Sequence, residues 1–144
     1  MGLLGSRAEQ SAQVLRYFTN ESLVYPTLAA GATVVSAAAD WTYGAYAVIV
    51  PANTISSDYY VHNVAIESCN KNDAVFELAL YKGAADDLIA TVRFAIVGGF
   101  WGNSVYVITA ETVDANSQIR AKLASSDGLN NQATMTVSLC YGLK

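Results

Sequence analysis

The sequence is poor in charged residues, which make up only 14% of its 144 residues. A typical globular protein has about 25%. The formal net charge is −4, and the eight Lys and Arg residues are scattered along the chain without forming a run. Nucleic-acid binding depends on clustered basic side chains that neutralise phosphates. We therefore expect no nucleic-acid partner.

Long apolar runs are also missing. The most apolar stretches are short or interrupted by Asp and Arg, whereas a membrane-spanning helix needs about 20 consecutive apolar residues. The sequence therefore predicts no membrane span. The N-terminus lacks the basic start and following apolar run of a secretory signal, so we expect synthesis in the cytoplasm.

The residue types that carry most enzyme chemistry are few. Cys69 and Cys140 are the two cysteines, and they have neither a CxxC pattern nor a His-rich neighbourhood that would indicate a zinc site or a disulfide framework. A catalytic triad or dyad that needs a histidine would have to use His62, but no local signature names its partners. We therefore expect no catalytic, metal-binding or cofactor-binding site. An enzyme that uses His62 as its base is the third and most distant alternative.

What the sequence does have is alternation of apolar and polar residues. A period of two is typical of β-strands, because successive side chains point to opposite faces of a sheet. Separators rich in Gly, Asn, Asp, Ser or Pro divide the chain into short segments of this kind. The pattern predicts eight strands, at residues 32–39, 45–50, 59–67, 74–82, 88–97, 104–110, 118–124 and 133–141.

The third and fourth of these strands are expected to form a hairpin over residues 59–81. Residues 68–73, rich in Asn and Asp, supply the turn. In the first strand Tyr60, His62, Val64 and Ile66 share a face, by strict alternation. In the strand over 88–97 the same rule puts five apolar side chains on one face, those of Leu88, Ala90, Val92, Phe94 and Ile96.

Many short strands without intervening helical pattern predict an all-β fold. Eight strands favour a jelly-roll-like antiparallel β-sandwich, with an immunoglobulin-like sandwich as the second choice. The order of the strands stays open. We expect one β-sandwich domain over residues 23–144, preceded by an N-terminal arm over residues 1–22.

The arm is predicted to contain a short helix. Ser6 and Glu9 match a capping box, and Leu15 and Phe18 follow on one side of the helix with Val14 beside them. A lone helix of about 14 residues is marginal in water and must pack on something. Its own domain and a neighbouring subunit are equally good candidates.

Two aromatic pairs next to glycines are candidate contact residues. They are Trp41 with Tyr43, and Phe100 with Trp101. Large aromatic side chains on turns suit anchors that enter a partner's pocket, or platforms for a sugar ring. The alternative is that they fold back and close the end of the sandwich.

Hydrophobic residues make up 53% of the chain. Together with the low charge, this favours a surface that is partly hidden in an oligomer or a larger assembly. A well-packed monomer with a Ser, Thr and Asn exterior is the alternative.

Residues 31–83, with the segments GATVVSAAADWTYG, VPANTI and LYKG, resemble the capsid decoration or cement proteins of tailed bacteriophages. So do RFAIVGG at 93–99 and TMTVSLCYG at 134–142. The resemblance implies a β-sandwich that forms a homotrimer on the outer surface of the virion, binds the major capsid protein and stabilises neighbouring capsomers without enzymatic activity. It supplies no motif residues.

The sequence thus predicts a partner-binding protein. We expect one apolar sheet face to form the trimer contact and the arm with Leu15 and Phe18 to contact the capsid. A carbohydrate-binding or receptor-binding module of a phage tail or fibre is the alternative, with the exposed aromatics stacking on sugars. The candidate partner-binding residues are Val14, Leu15, Phe18, Trp41, Tyr43, Phe100 and Trp101.

Overall fold

The computed structural model describes residues 22–141, which fold into ten β-strands with no helix in this part of the chain. The strands are β1 Ser22–Tyr25, β2 Ala32–Val35, β3 Ala47–Val50, β4 Tyr59–Cys69, β5 Ala74–Lys82, β6 Asp87–Val97, β7 Phe100–Trp101, β8 Val105–Val107, β9 Ile119–Ser125 and β10 Gln132–Tyr141.

The strands form two antiparallel sheets. Sheet A has the order β1-β10-β4-β8, with β2 beside β1 on the same edge of β10. Sheet B has the order β3-β9-β5-β6-β7. The pairs β2 with β10, β3 with β9, β4 with β8 and β5 with β6 are nested in the sequence. Such nesting arises when one long antiparallel ribbon wraps into a barrel-like sandwich, which is the jelly roll. The all-β, jelly-roll-like prediction is therefore confirmed.

All eight predicted strands are present, with shifted ends. β1 and β7 are additional, and the predicted N-terminal helix lies outside the described residues.

The core lies between the inner faces of the sheets. Alternate residues of β5 and β9, such as Phe76, Leu78 and Leu123, are fully buried. Val137 and Leu139 of β10 face them from sheet A and are also fully buried. Burial of some two dozen such side chains is the dominant stabilising contribution.

The expected hairpin over residues 59–81 is wrong. β4 pairs with β10 and β8 in sheet A, whereas β5 pairs with β6 and β9 in sheet B. The polar turn between them carries the chain from one sheet to the other. Turn chemistry shows where a strand ends, but it does not show whether the next strand pairs with it or crosses the core.

Two β-bulges change the faces that strict alternation predicted. In β4 the pairing with β10 shifts between Asn63 and Val61, so Val61 and Val64 both face the core while His62 is exposed. In β6 a shift beside Tyr81 leaves Leu88 58% exposed, although Val92 further along is buried. Tyr60 and His62 thus do not share the face of Val64, and Leu88 does not share that of Val92.

A polar cluster fastens the loops at one end of the sandwich. The hydroxyls of Ser36 and Ser125 lie 3.3 Å apart, and the Asn131 side chain donates to Ser125 Oγ at 3.1 Å. Ser36 and Ser125 are almost fully buried. The chain after Ser36 passes so close to β2 that a Cβ on Gly44 would lie 1.9 Å from the Val35 carbonyl oxygen. This close approach holds the loop that carries Trp41 and Tyr43.

Candidate interaction surface

Trp41 and Tyr43 lie over the outer face of sheet B, and both are engaged there. The Arg93 guanidinium lies 4.9 Å from the centre of the Trp41 ring, a cation–π arrangement, and Trp41 is 46% exposed. The Tyr43 hydroxyl donates a hydrogen bond to Glu77 Oε1. Arg93 donates to the other oxygen of Glu77, at 2.8 Å from Nη2 and 3.2 Å from Nε.

This cluster fixes the charge of Glu77. The hydrogen bond from Tyr43, with a further contribution from Arg93, lowers the pKa of the Glu77 carboxyl below its ordinary value of 4.5. Burial and the neighbouring carboxylate raise the pKa of Tyr43, which keeps its hydroxyl a donor. Trp41 and Tyr43 therefore serve the domain's own electrostatic network.

The rest of the outer face of sheet B also carries charged side chains that are paired within the chain. Arg120 pairs with Asp86. Arg120 and Lys122 also lie over the ring of Tyr46, at 4.3 and 4.1 Å from its centre. These positive charges already have carboxylate or aromatic partners within the chain.

The side chains of Phe100 and Trp101, which were expected to act together as a contact pair, point in opposite directions. Gly98 and Gly99, with φ of 58° and 79°, form a two-residue hairpin turn that pairs Val97 with Phe100 and Ile96 with Trp101. Ile96 is buried, so Trp101 also faces inward, whereas Phe100 is 80% exposed. Trp101 folds back and Phe100 does not.

A groove opens beside Phe100, where both sheets end. The edge strands here are β6 with β7 in sheet B and β8 in sheet A. The groove has a volume of about 540 Å³. Its floor is aromatic, because Phe94 lies parallel to Trp101 at 6.3 Å and tilted to Tyr106 at 6.4 Å, measured between ring centres. Phe100 and Val97 line its rim. We call this the edge groove.

The outer face of sheet A has a different composition. Its paired outward positions on β10 and β4 carry uncharged side chains, most of them small and Tyr60 the largest, and at its edge Val105 and Val107 of β8 are 46% and 77% exposed. None of the outward residues that are paired between strands of this sheet is Asp, Glu, Lys or Arg. Glu67, at a bulge in β4, places its carboxylate over Gly31 and Thr134 at one end of this face. We therefore use the name charge-free face for the paired outward positions alone. They include Val24, Thr33, Tyr60, Asn63, Ala65, Ser68, Val105, Val107, Thr134, Ser138 and Cys140, together with Thr136, which is almost fully buried.

The two outer faces therefore differ in charge. Sheet B carries ion pairs and cation–π contacts, while sheet A carries none in its paired positions. Depletion of charge, more than bulk hydrophobicity, distinguishes the centre of a protein–protein interface from the rest of a surface. The charge-free face of sheet A and the adjoining edge groove together form the candidate interaction surface.

The side chains considered for catalysis are not brought together. His62 is exposed on β4, and its imidazole makes no hydrogen bond or ion pair to residues 22–141. Burial raises the pKa of the Cys69 thiol to about 12. Within residues 22–141 no three His, Cys, Asp or Glu side chains are grouped in a way that could hold a metal ion. The same part of the chain contains no helix long and apolar enough to cross a membrane.

The outer face of sheet A was not predicted from the sequence, because identifying it requires the order of the strands. The alternation did identify the outward-facing side chains of β10, from Thr134 to Cys140, but it could not show which strands lie beside β10. The opposite directions of Phe100 and Trp101 could have been found, because Gly-Gly flanked by apolar runs is a hairpin signal that fixes the register. Val14, Leu15 and Phe18 lie outside the described residues, so the expected arm contact stays a prediction.

Comparison with known proteins gives little. No protein-family model matches the sequence, and no curated protein matches it. Among solved structures, the chain is similar to one described as "Structure of infectious bursal disease virus Gx strain", at 10% identity and a TM-score of 0.41. The similarity covers 85% of this chain and 33% of the viral chain. The chain thus spans about a third of that protein.

Proposed function

We propose that the protein is a structural component of a virion, a decoration or cement protein that binds the outer surface of a capsid and stabilises neighbouring capsomers. It acts by occupying surface and not by catalysis. The observation that carries this proposal is the charge-free outer face of sheet A. Jelly rolls occur in both capsid proteins and lectins, so the fold is compatible with the proposal without deciding it.

The charge-free face approaches the size of an interface. At a spacing of about 4.8 Å, the long strands β10 and β4, the edge formed by β1 and β2, and the three-residue β8 together give on the order of 500 Å². A stable interface takes about 800 Å² from each partner. Repeated contacts over a shell make a face of this size sufficient.

Binding through such a surface would make a capsid more stable by mass action. A protein that binds the mature spacing of capsomers, and not other spacings, lowers the free energy of the mature shell by its binding free energy. The sites repeat over the shell, so small individual affinities add up. In the proposed assembly the protein forms a homotrimer, and each trimer contacts several copies of the major capsid protein.

Immunogold electron microscopy tests this proposal. Virions from the source of the sequence are labelled with antibodies raised against the folded protein. Gold on the outer surface of intact capsids supports the proposal. Gold confined to tails or fibres, or an unlabelled virion in a preparation where the antibody detects the free protein, contradicts it.

A carbohydrate-binding module is the second candidate, favoured by one observation: Phe100 is 80% exposed beside an aromatic groove. Trp41 is a weaker candidate for sugar stacking because Arg93 already covers part of its ring. A glycan array with the unsubstituted protein and Phe100→Ala separates the two functions. Binding to a defined glycan that the substitution abolishes would favour the carbohydrate-binding function.

A further inference from the structure

Within residues 22–141, no side chain fills the edge groove. Its floor of Phe94, Trp101 and Tyr106 is apolar, and Phe100 and Val97 stand at its rim 80% and 70% exposed. It lies between two open sheet edges, because β7 covers only Ile96 and Val97 of β6, and β8 pairs only with β4. Proteins commonly protect such edges with charge, with proline or by covering them with a helix or loop. The lining of the groove has one charged side chain, Arg93, which is already engaged by Glu77 and Trp41. Residues 94–110 contain neither a charged residue nor a proline.

We propose that the edge groove binds the N-terminal segment of a second copy of this chain, with Leu15 and Phe18 of that copy as the side chains that enter it. This inference rests on the proposed function, in which several copies assemble on one capsid.

The segment has the right chemistry. Residues 1–21 precede the described part of the chain, and they contain two Arg and two Glu, so their side chains sum to no net charge. The predicted helix places Leu15 and Phe18 three residues apart on one side, which is how an apolar helix presents side chains to a groove. Such a helix would also cover the two open edges.

Distance excludes Phe18 of the same copy, and with it a helix of that copy that presents Leu15 and Phe18 to the groove together. Ser22 lies on the far edge of sheet A, where it pairs with Cys140, which in turn pairs with Tyr60 of β4. The groove begins on the opposite edge of the sheet, at Tyr106, which pairs with Val64 of β4. Three strand spacings of about 4.8 Å and three to four residues along the strands separate Ser22 from Tyr106, which gives roughly 18–20 Å in a straight line. That line runs through β10 and β4.

Phe18 cannot cover this distance within one copy. It lies four residues before Ser22, so their Cα atoms are at most about 14 Å apart even in a fully extended chain. The path around the sandwich is longer than the straight line. In a second copy whose β1 edge lies next to the groove, the same four residues suffice.

The contact is therefore heterologous, with the β1 edge of one copy beside the β6 and β8 edges of the next. Contacts of this kind close into rings when the rotation permits. A trimer is one such ring. The segment then links neighbouring copies, which leaves the charge-free face of sheet A available to the capsid.

Disulfide trapping between two full-length variants tests the proposal. One variant carries Thr19→Cys, beside the entering side chains, and the other carries Val97→Cys at the rim of the groove. After mixing and mild oxidation we expect a covalent dimer that contains one copy of each. Thr91→Cys, an exposed position of β6 that does not line the groove, replaces Val97→Cys as the matched control. The unsubstituted chain reports any crosslinking through Cys69 or Cys140.

The expected result is a mixed dimer with Val97→Cys and only the background yield with Thr91→Cys. Adding Leu15→Ser and Phe18→Ser to the Thr19→Cys variant should weaken the association about 100-fold or more, since two large apolar side chains lose their burial. Three outcomes would overturn the proposal: no mixed dimer, equal yields at both positions, or an internal disulfide in monomers of a Thr19→Cys, Val97→Cys double variant. A contact of the segment with capsid protein alone would give the first of these. The result of immunogold labelling does not depend on this crosslinking result. The proposed virion function and the proposed contact between copies can therefore be contradicted independently.

Discussion

The indole of Trp101 lies parallel to the ring of Phe94, with an interplanar angle of 4° and ring centres 6.3 Å apart. Phe94 stacks in turn on Phe76, at 5.0 Å and 12°. Phe76 is fully buried, so this stack runs from the core to the open edge of the sandwich. The floor of the edge groove is therefore part of the folded core, while its rim, with Phe100, is free to contact a partner.

Trp101 and Phe100 should consequently respond differently to replacement by Ala. We expect Trp101→Ala to lower the free energy of unfolding by about 2–3 kcal/mol, because it removes a partly buried ring from the stack. Phe100→Ala should change it by less than about 0.5 kcal/mol, since the side chain is exposed, but should weaken association between copies. Denaturant unfolding and light scattering measure the two effects. Equal losses of stability would show that Phe100 also supports the core.

A charge placed on the outer face of sheet A should disrupt assembly without unfolding the domain. Ser138 lies in the middle of this face, between Val24 and Asn63. We expect Ser138→Lys to weaken the binding to capsids at least tenfold, with the oligomer mass unchanged, since a desolvated, unpaired charge is unfavourable in an interface. Thr91→Lys on the exposed face of sheet B is the control and should leave both unchanged. Equal effects of the two substitutions would remove the distinction between the faces.

The loop that carries Trp41 and Tyr43 depends on the absence of a side chain at Gly44. A Cβ there would lie 1.9 Å from the Val35 carbonyl oxygen, a backbone atom that cannot move without shifting β2. We expect Gly44→Ala to destabilise the protein by about 3 kcal/mol or more. Gly102→Ala is the matched control, because a Cβ there would meet no atom within 4 Å. Thermal unfolding should show a large decrease in Tm for the first variant and almost none for the second.

Stability should fall in acid partly through Glu77. Its pKa is lower in the folded chain than its ordinary value of 4.5, so the contacts with Tyr43 and Arg93 stabilise the fold fully above that value. This stabilisation is lost as the pH falls through the folded pKa. We expect the difference in unfolding free energy between pH 6 and pH 3 to be smaller in Glu77→Gln. Tyr43→Phe, which removes the largest cause of the shift, should act in the same direction. Unchanged pH dependence in both variants would contradict this role.

Sequence patterns predicted the strands well because burial on one face imposes a period of two. The predicted faces of β5, β9 and β10 were right, with Phe76 and Leu123 inside and Thr134 and Ser138 outside, although Ala79 and Thr136 on the outer faces are also buried. Alternation failed at the bulges beside His62 and Leu88, where one extra residue reverses the faces. Nothing in the local sequence marks these positions.

Pairing was harder to predict than strand position. The turn at residues 70–73 resembles a hairpin turn, yet it joins two sheets, because Asn72 and Asp73 also bind the next corner of the fold. The Asp73 carboxylate accepts from the Gly98 N–H at 2.7 Å, and the Asn72 carbonyl from the Gly99 N–H at 2.8 Å. Only long-range contacts distinguish the two cases. The charge-free face of sheet A depends on the same long-range information.

The most direct test of the whole account is the mass of the purified full-length protein in solution, measured by light scattering after size exclusion at several concentrations. We expect a trimer whose mass does not change with concentration, because the N-terminal segment of each copy occupies the edge groove of the next. A monomer at every concentration would contradict the proposed exchange of N-terminal segments and would leave Phe100 to be tested against glycans.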